Sequence, residues 1–376
     1  MARLGDIVKI EASSKSVVGD KFWLLNLDMV EQQTGNVIDY NYVGKDALNG
    51  SIIQFDTGCV LYSKLRPNLN KVVIPSKDGF ATSEMLPLRP NTKMLTREYL
   101  TVFLRSDSFV TWAVSKTAGA KMPRLGSKEL LGKEIPLPSI SEQMRIAGQF
   151  AKVDELIALR KEQLSKLDRL VKSRFIELFG DVSTNPYNYP IKNFDEISML
   201  ITDGEHATPR RADNGIYLLS ARNILNHMLQ LNDVDYIDED EYNRIARRVI
   251  PQAGDVLISC SGSIGRCCVV PDGLKFQMVR SAALIRFDET INPVFAEWLI
   301  TSDDLQQQIA QSATQSSQAN LFQGKIRKLY GYVPPIELQN QFAAFVEQTD
   351  KSKLAIQQSL DKLELLKKAL MQEYFG

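Results

Sequence analysis

This chain contains two copies of one unit, and that duplication restricts its possible folds more than any other feature of its 376 residues. Gly58-Cys59-Val60-Leu61-Tyr62-Ser63 returns 196 residues later as Gly254-Asp255-Val256-Leu257-Ile258-Ser259. Pro75 returns as Pro271, closing Val72-Val73-Ile74-Pro75 and Cys268-Val269-Val270-Pro271. Pro138-Ser139-Ile140 and Gln143 return as Pro334-Pro335-Ile336 and Gln339, and Phe179-Gly180 as Phe375-Gly376. From about residue 56 onward the register is expected to hold without a gap. Before that point Leu4-Gly5-Asp6-Ile7 matches Phe194-Asp195-Glu196-Ile197 at a smaller offset, so the N-terminal parts have diverged most. Self-similarity at a fixed offset means repeated structural units.

Each copy orders its elements alike. A β-rich region comes first, with Gly58–Ser63 and Lys71–Ile74 as short strands, repeated by Gly254–Ser259 and Cys267–Val270. A helical patch follows, opened in the second copy by Asn292-Pro293, an N-cap with proline at the first helical position. A long helix ends each copy, over about 141–179 and 337–375. Ile146, Phe150, Val153, Ile157, Leu164, Leu167 and Val171 follow alternating spacings of four and three, interrupted by Arg160. Phe342, Val346, Ile356, Leu360, Leu363 and Leu370 repeat the stripe, interrupted by Thr349, Lys353 and Lys367. Ser139 with Glu142 fits a capping box. A helix of this length runs about 55 Å at 1.5 Å per residue, longer than a small domain is wide. Two matched apolar seams are therefore expected to bury each other. An antiparallel pair with one globular domain at each end satisfies the repeat as an internal pseudo-two-fold. The connector, residues 181–195, reaches about 50 Å when extended, so a parallel pair stays open as the less favoured arrangement.

Catalytic signatures are sparse. There are two histidines, His206 and His227, no Cys-x-x-Cys pair and no Gly-x-x-x-x-Gly-Lys-Ser/Thr phosphate loop. Ser261-Gly262-Ser263-Ile264-Gly265 lies between two strands, whereas a dinucleotide fingerprint needs a helix after it. Asn185-Pro186-Tyr187 lacks one proline of the amino-methyltransferase tetrapeptide and reads as a turn. Cys267 and Cys268 read as buried structural cysteines. These features argue against an enzyme and against a resident metal or cofactor. Four cysteines make no disulfide framework, no apolar run reaches membrane-spanning length, and the start lacks a signal-peptide core, so a cytoplasmic location is expected. Lys plus Arg and Asp plus Glu balance at 45 each, so any nucleic-acid surface must be local.

The hairpin tips offer such surfaces. Copy one carries Lys64-Leu65-Arg66-Pro67-Asn68-Leu69-Asn70-Lys71 and copy two Cys260-Ser261-Gly262-Ser263-Ile264-Gly265-Arg266. Lys and Arg suit phosphates and guanine edges, Asn suits adenine, and Ser and Gly permit close backbone approach. Lys121 and Arg124 add to the first copy, with Gln318 and Asn320 at the matching place in the second. The acidic run Asp233, Asp235, Asp238, Glu239, Asp240 and Glu241 would repel phosphate, so it is expected on a solvated edge away from nucleic acid. The alternative to a bivalent DNA reader is a duplicated coiled-coil scaffold for protein partners without DNA specificity.

With these residues in view, the chain resembles the specificity subunit of type I restriction-modification systems from end to end. Leu61-Tyr62-Ser63-Lys64-Leu65-Arg66-Pro67 is similar to that family's strand-and-tip motif. Asp203-Gly204-Glu205-His206-Ala207-Thr208-Pro209 with Tyr217-Leu218-Leu219-Ser220-Ala221-Arg222-Asn223-Ile224 resembles a common opening of its recognition domains. Ile135-Pro136-Leu137-Pro138-Ser139-Ile140-Ser141-Glu142-Gln143 resembles the entry to its helix, and copy two departs there with Leu338-Gln339. The resemblance implies an α+β fold. Two target-recognition domains, 1–138 and 181–334, would be joined by a central helix region, 139–180, and a C-terminal one, 335–376. It also implies a non-catalytic protein whose domains each read half of a split, asymmetric DNA site, with the helices setting the gap. Two modification subunits binding S-adenosylmethionine, and restriction subunits using ATP and Mg, would be the partners, and those cofactors would sit on them. Expected contacts to the first half-site are Lys64, Arg66, Asn68, Asn70, Lys71, Lys121 and Arg124. Those to the second are His206, Arg210, Arg211, Arg222, Asn223, Ser261, Ser263 and Arg266.

Overall fold

A computed structural model describes residues 1–15, 19–48, 50–313 and 320–376. The chain divides into two compact units, Met1–Glu162 with Gln357–Gly376, and Gln163–Ile356. Both divisions fall inside a long helix. The central helix, Ile140–Phe179, and the C-terminal helix, Ile336–Phe375, each begin in one unit and end in the other.

In the first unit, a four-stranded antiparallel sheet has the order Val8–Ile10, Met85–Pro90, Val60–Ser63, Val72–Val73. Val60–Ser63 is buried along its whole length because both faces of the sheet are covered. Val60 and Tyr62 face the helices Arg97–Arg105 and Asp107–Ser115, among Leu100, Phe103, Leu104 and Phe109. Leu61 and Val73 face the other way, onto Trp23, Leu25 and Phe55 of a second sheet. That second sheet has the order Asn41–Val43, Phe22–Leu25, Gly79–Thr82, Ile52–Phe55, with its inner pair parallel.

The second unit repeats the plan. Its first sheet orders Ser198–Asp203, Ala282–Phe287, Val256–Ser259 and Cys267–Val269, and its second Asp235–Ile237, Ile216–Leu219 and Phe276–Met278. Val256 and Ile258 pack towards Phe295 and Leu299, while Leu257 and Cys268 pack towards Leu219 and Phe276. All four cysteines are free and buried.

The sequence register needs a correction. Val60 pairs with Leu88 and Leu61 with Val73, whereas Val256 pairs with Ile285 and Leu257 with Cys268. Leu88 thus returns one residue later than the offset of the central strand, and Val73 one residue earlier. The second tip is a residue shorter and the following connection longer, and the differences cancel before the long helices. Loops absorb such changes because few packed contacts depend on their length.

Gln143 and Gln339 anchor the helix starts, and both are fully buried. Gln143 accepts from Thr96 N at 2.9 Å and donates to the carbonyls of Met94 and Pro138 at 2.8 and 2.9 Å. Gln339 repeats the set with Asn292 N, Thr290 O and Pro334 O, at 2.8, 3.0 and 2.7 Å. A buried carboxamide is retained only when its donors and acceptor are met, and here that requirement ties helix to domain. Ser139 Oγ accepts from Glu142 N at 3.3 Å, but the Glu142 carboxylate turns to Arg145, so only half of the capping box forms. Asn292 caps Pro293–Ile300 as its sequence predicts.

Within each unit the helix segments run antiparallel, which removes the parallel alternative. In the first, the Phe150 ring lies 6.4 Å from that of Phe375, Gln149 accepts from Tyr374, Lys367 pairs with Asp154 at 2.7 Å, and Arg160 donates to Ser359. In the second, Phe342 meets Phe175 and Phe179 at 5.3 and 5.6 Å, and Lys353 pairs with Asp168 at 2.8 Å. Arg160, Lys353 and Lys367, which interrupt the apolar stripe, thereby find partners on the facing helix, while Thr349 donates to Phe345 O of its own helix. No described helix is long and apolar enough to cross a membrane.

Candidate nucleic-acid interface

In the first unit the tip between Val60–Ser63 and Val72–Val73 folds around a short 3-10 turn, Pro67–Leu69. Arg66 and Asn70 flank it in the left-handed region, at φ of 49° and 50°. A second hairpin, Thr117–Ala118 with Arg124–Leu125, docks on this tip. Leu125 N donates to Lys64 O at 2.9 Å and Arg66 N to Pro123 O at 2.8 Å. One surface therefore carries Lys64, Arg66, Asn68, Lys121 and Arg124, beside a cleft of about 600 Å³ that Lys64 and Arg124 line with Lys116.

These side chains are not equivalent. Arg66, Lys116 and Lys121 are exposed, and no described residue bonds their charged groups. Asn68 is also exposed, and its carbonyl accepts from Gln33. Arg124 spends its guanidinium on both oxygens of Glu84, at 2.8 to 3.1 Å, which holds the Glu84 carboxyl below its usual range. Lys71 donates to Leu27 O. Asn70 is 6 % exposed and donates to Arg105 O at 3.1 Å, where it ends a helix. Asn70 is thus a structural residue, because the left-handed position favours Asn and turns its amide inward. Lys116, which the sequence reading missed, was findable as a cation a few residues before Lys121.

The second unit builds its tip differently. Gly262 and Gly265 take positive φ, and Ser259 Oγ closes the loop by donating to Ser263 O and accepting from Arg266 N. Leu321 N donates to Cys260 O at 2.9 Å, the same bridge that joins Leu125 to Lys64. Ser261 is half-buried, and Ser263 and Arg266 are exposed. Residues 314–319, and with them Gln318, lie outside the described residues. The carbonyl of Asn320 accepts from Lys325.

The arginines of this unit overturn one expectation. The acidic run lies against them instead of on a separate edge. Arg210 meets both oxygens of Asp238 at 2.9 and 3.1 Å, and Arg211 and Arg222 share Asp235 at 3.1 and 3.0 Å. Opposite charges brought near by strand pairing neutralise each other, which sequence separation concealed. Asn223 is 1 % exposed. Its amide donates to Gln230 O and Asp233 O and accepts from Ser220 N, so it locks a turn.

Both histidines have acidic neighbours that the sequence did not reveal. His206 is exposed, 3.6 Å from Asp203, whose carboxyl burial pushes up against the pull of that histidine. His227 stacks on Trp298 at 4.2 Å, with Nδ1 3.1 Å from Glu297, beside a cleft of about 950 Å³. Glu297 also accepts from Val269 N, which ties it to the sheet. Among the described residues no group of three His, Cys, Asp or Glu side chains is placed to hold a metal ion.

Residues 1–169 match the family model of the type I restriction modification DNA specificity domain. A type I restriction enzyme specificity subunit from Escherichia coli, EcoDI, is 28% identical over 154 residues, 40% of this chain and 34% of that protein. The MjaVIII specificity subunit of Methanocaldococcus jannaschii is 23% identical over 201 residues, 50% of this chain and 46% of that protein. The chain thus spans less than half the length of these curated relatives. Among solved structures, a type I restriction-modification S subunit from M. genitalium superposes with a TM-score of 0.63 at 13% identity, covering 100% of this chain and 95% of the other. A chain from a type I restriction-modification system solved for its complex assembly superposes at 0.61 and 16% identity, covering 100% and 96%. At these identities the likeness is one of fold.

Proposed function

We propose that this chain belongs to the type I restriction-modification specificity family and is a non-catalytic DNA-reading subunit whose two recognition regions each contact one half of a split site. The observation that carries the reading is the recurrence in both units of one backbone construction with different side chains upon it. The bridge from Lys64 to Leu125 returns between Cys260 and Leu321, yet the first tip presents Lys and Arg where the second presents Ser and Gly. A fixed frame with variable tips suits base recognition, because backbone geometry sets the approach and side chains set the sequence read. Two unlike tips imply two unlike half-sites and so an asymmetric target. The domain division of this reading is 1–138 and 181–334 for recognition, with 139–180 and 335–376 as the helices that set the gap.

The partners of this reading are double-stranded DNA, two modification subunits and restriction subunits, in the cytoplasm. S-adenosylmethionine, ATP and Mg would be bound by those partners. An adenine to be methylated would be flipped into the modification subunit. Co-expression with a modification subunit, followed by mapping of methylated adenines across the host genome, tests this. A split motif with a constant gap is the expected result. A well-formed complex that adds no methylation would point instead to the protein scaffold.

A further inference from the structure

Six charged groups of the second unit form two sets, Arg211 and Arg222 with Asp235 and Asp233, and Arg210 with Asp238. Asp235 accepts from Arg211 Nε at 3.1 Å and from Arg222 at 3.0 Å, and Asp233 stands 3.8 Å from Arg222. Asp238 takes Arg210 through both oxygens and also caps the helix Glu239–Ala246 by accepting from Glu241 N at 2.8 Å. Secondary structure fixes both of the main carboxylates. Asp235 lies opposite Leu218 in a strand pair, and Asp238 is an N-cap.

A carboxylate facing a guanidinium fork occupies the place a phosphate would take. Exposed pairs of this kind are weak, so a phosphodiester can replace the carboxylate. The exchange gains little, however, because an arginine already matched by a carboxylate brings no net positive charge to displace the cations condensed on DNA. Binding to arbitrary DNA backbone is therefore suppressed at this patch. The first unit holds one such pair, Arg124 with Glu84, but among its described residues no carboxylate takes the strand position of Asp235. Asn41 lies opposite Leu24 where Asp235 lies opposite Leu218, and the charged groups of Arg66 and Lys121 are bonded by no described residue.

We propose that Asp235 and Asp238 are specificity-determining residues, phosphate surrogates that keep Arg210, Arg211 and Arg222 oriented and neutralised until a matching half-site displaces them. The proposal rests on the DNA-reading function above. Its test is the Asp235→Asn, Asp238→Asn double variant of the full chain, in which Asn keeps side-chain volume and helix capping. The probe is a DNA duplex of unrelated sequence, titrated over a range of salt concentrations. Affinity at low salt is expected to rise about tenfold, with the slope of log affinity against log salt steeper by about one per arginine that gains a phosphate contact. Adding Arg222→Ala to the variant should reverse part of the gain. An unchanged affinity and slope overturns the proposal. So does a fall in affinity with circular dichroism unchanged, since the carboxylates would then only position the arginines. Arg66→Ala, measured alongside, separates the two readings. A loss there without a gain in the double variant removes this proposal alone, whereas no change in either removes the DNA-reading function.

Discussion

Lys64 and Leu125 share one backbone hydrogen bond, Leu125 N to Lys64 O at 2.9 Å, and it recurs 196 residues on between Cys260 and Leu321 at the same length. The bond ties the tip to a segment distant in sequence in each unit, a second hairpin in the first and the stretch at Leu321 in the second. None of the four side chains takes part, so the surface persists while its chemistry varies.

Arg66 is the clearest contact candidate on that surface. It is exposed, and its backbone is already held by Pro123 and by the left-handed turn. Arg66→Ala should weaken DNA binding by the assembled complex and reduce the salt slope by about 1. Stability should stay within about 0.5 kcal/mol of the parent. Asn70→Ala should behave in the opposite way, losing stability through the vacated Arg105 carbonyl. Salt-dependent titrations and denaturant unfolding of both variants distinguish the roles.

Gln143→Ala removes the acceptor for Thr96 N and the donor to two carbonyls in a buried site. Leaving such groups unmet costs about 1–3 kcal/mol for each, so a loss of at least 2 kcal/mol is expected. Gln339→Ala should destabilise the second unit comparably. Urea unfolding measures both, and a loss below about 0.5 kcal/mol would sink the anchoring role.

Phe375, one residue from the last residue described, is 7 % exposed against Tyr99, Phe103 and Phe150 of the first unit. Phe375→Ala should cost about 3–5 kcal/mol. Trp112, which packs on Phe109 in the same cluster, reports the unfolding by fluorescence. A midpoint unchanged from the parent would show that the helix end is dispensable to this core.

Asp56 gives the chain an acid-sensitive contact. Burial raises its carboxyl, yet Arg89, Gly58 N and Ser13 together outweigh that and bring it down to about 2. A carboxyl depressed by folding stabilises fully above its unfolded value, near 4, and that contribution fades as pH falls towards 2. Asp56→Asn should therefore cost about 2 kcal/mol at pH 7, with the gap to the parent closing between pH 4 and pH 2. Unfolding free energies of both proteins across that range test the sign. A gap that widened towards acid would refute it.

The duplication, the two strand pairs, the long helices and the capped start at Asn292 were legible because each rests on local pattern. Strand period, turn residues, apolar spacing and cap chemistry act over a few residues, and repetition reinforces them. The same locality misled the reading of register. The structure shows strand partners displaced by a residue in each direction, a difference that cancels in the sequence.

Sequence alone thus determined that two copies of one α+β unit end in matched helices, since those features follow from nearest-neighbour preferences. Tertiary structure decided which polar residues are available. It buried Asn70 and Asn223 as hydrogen-bonded turn locks, gave Arg124 to Glu84, and set Asp235 and Asp238 against three arginines. It also placed Phe375 in the core of the first unit and Phe179 in that of the second. The reason is physical: burial and charge pairing depend on distance in space, and strand pairing and helix packing bring together groups that the chain keeps tens or hundreds of residues apart.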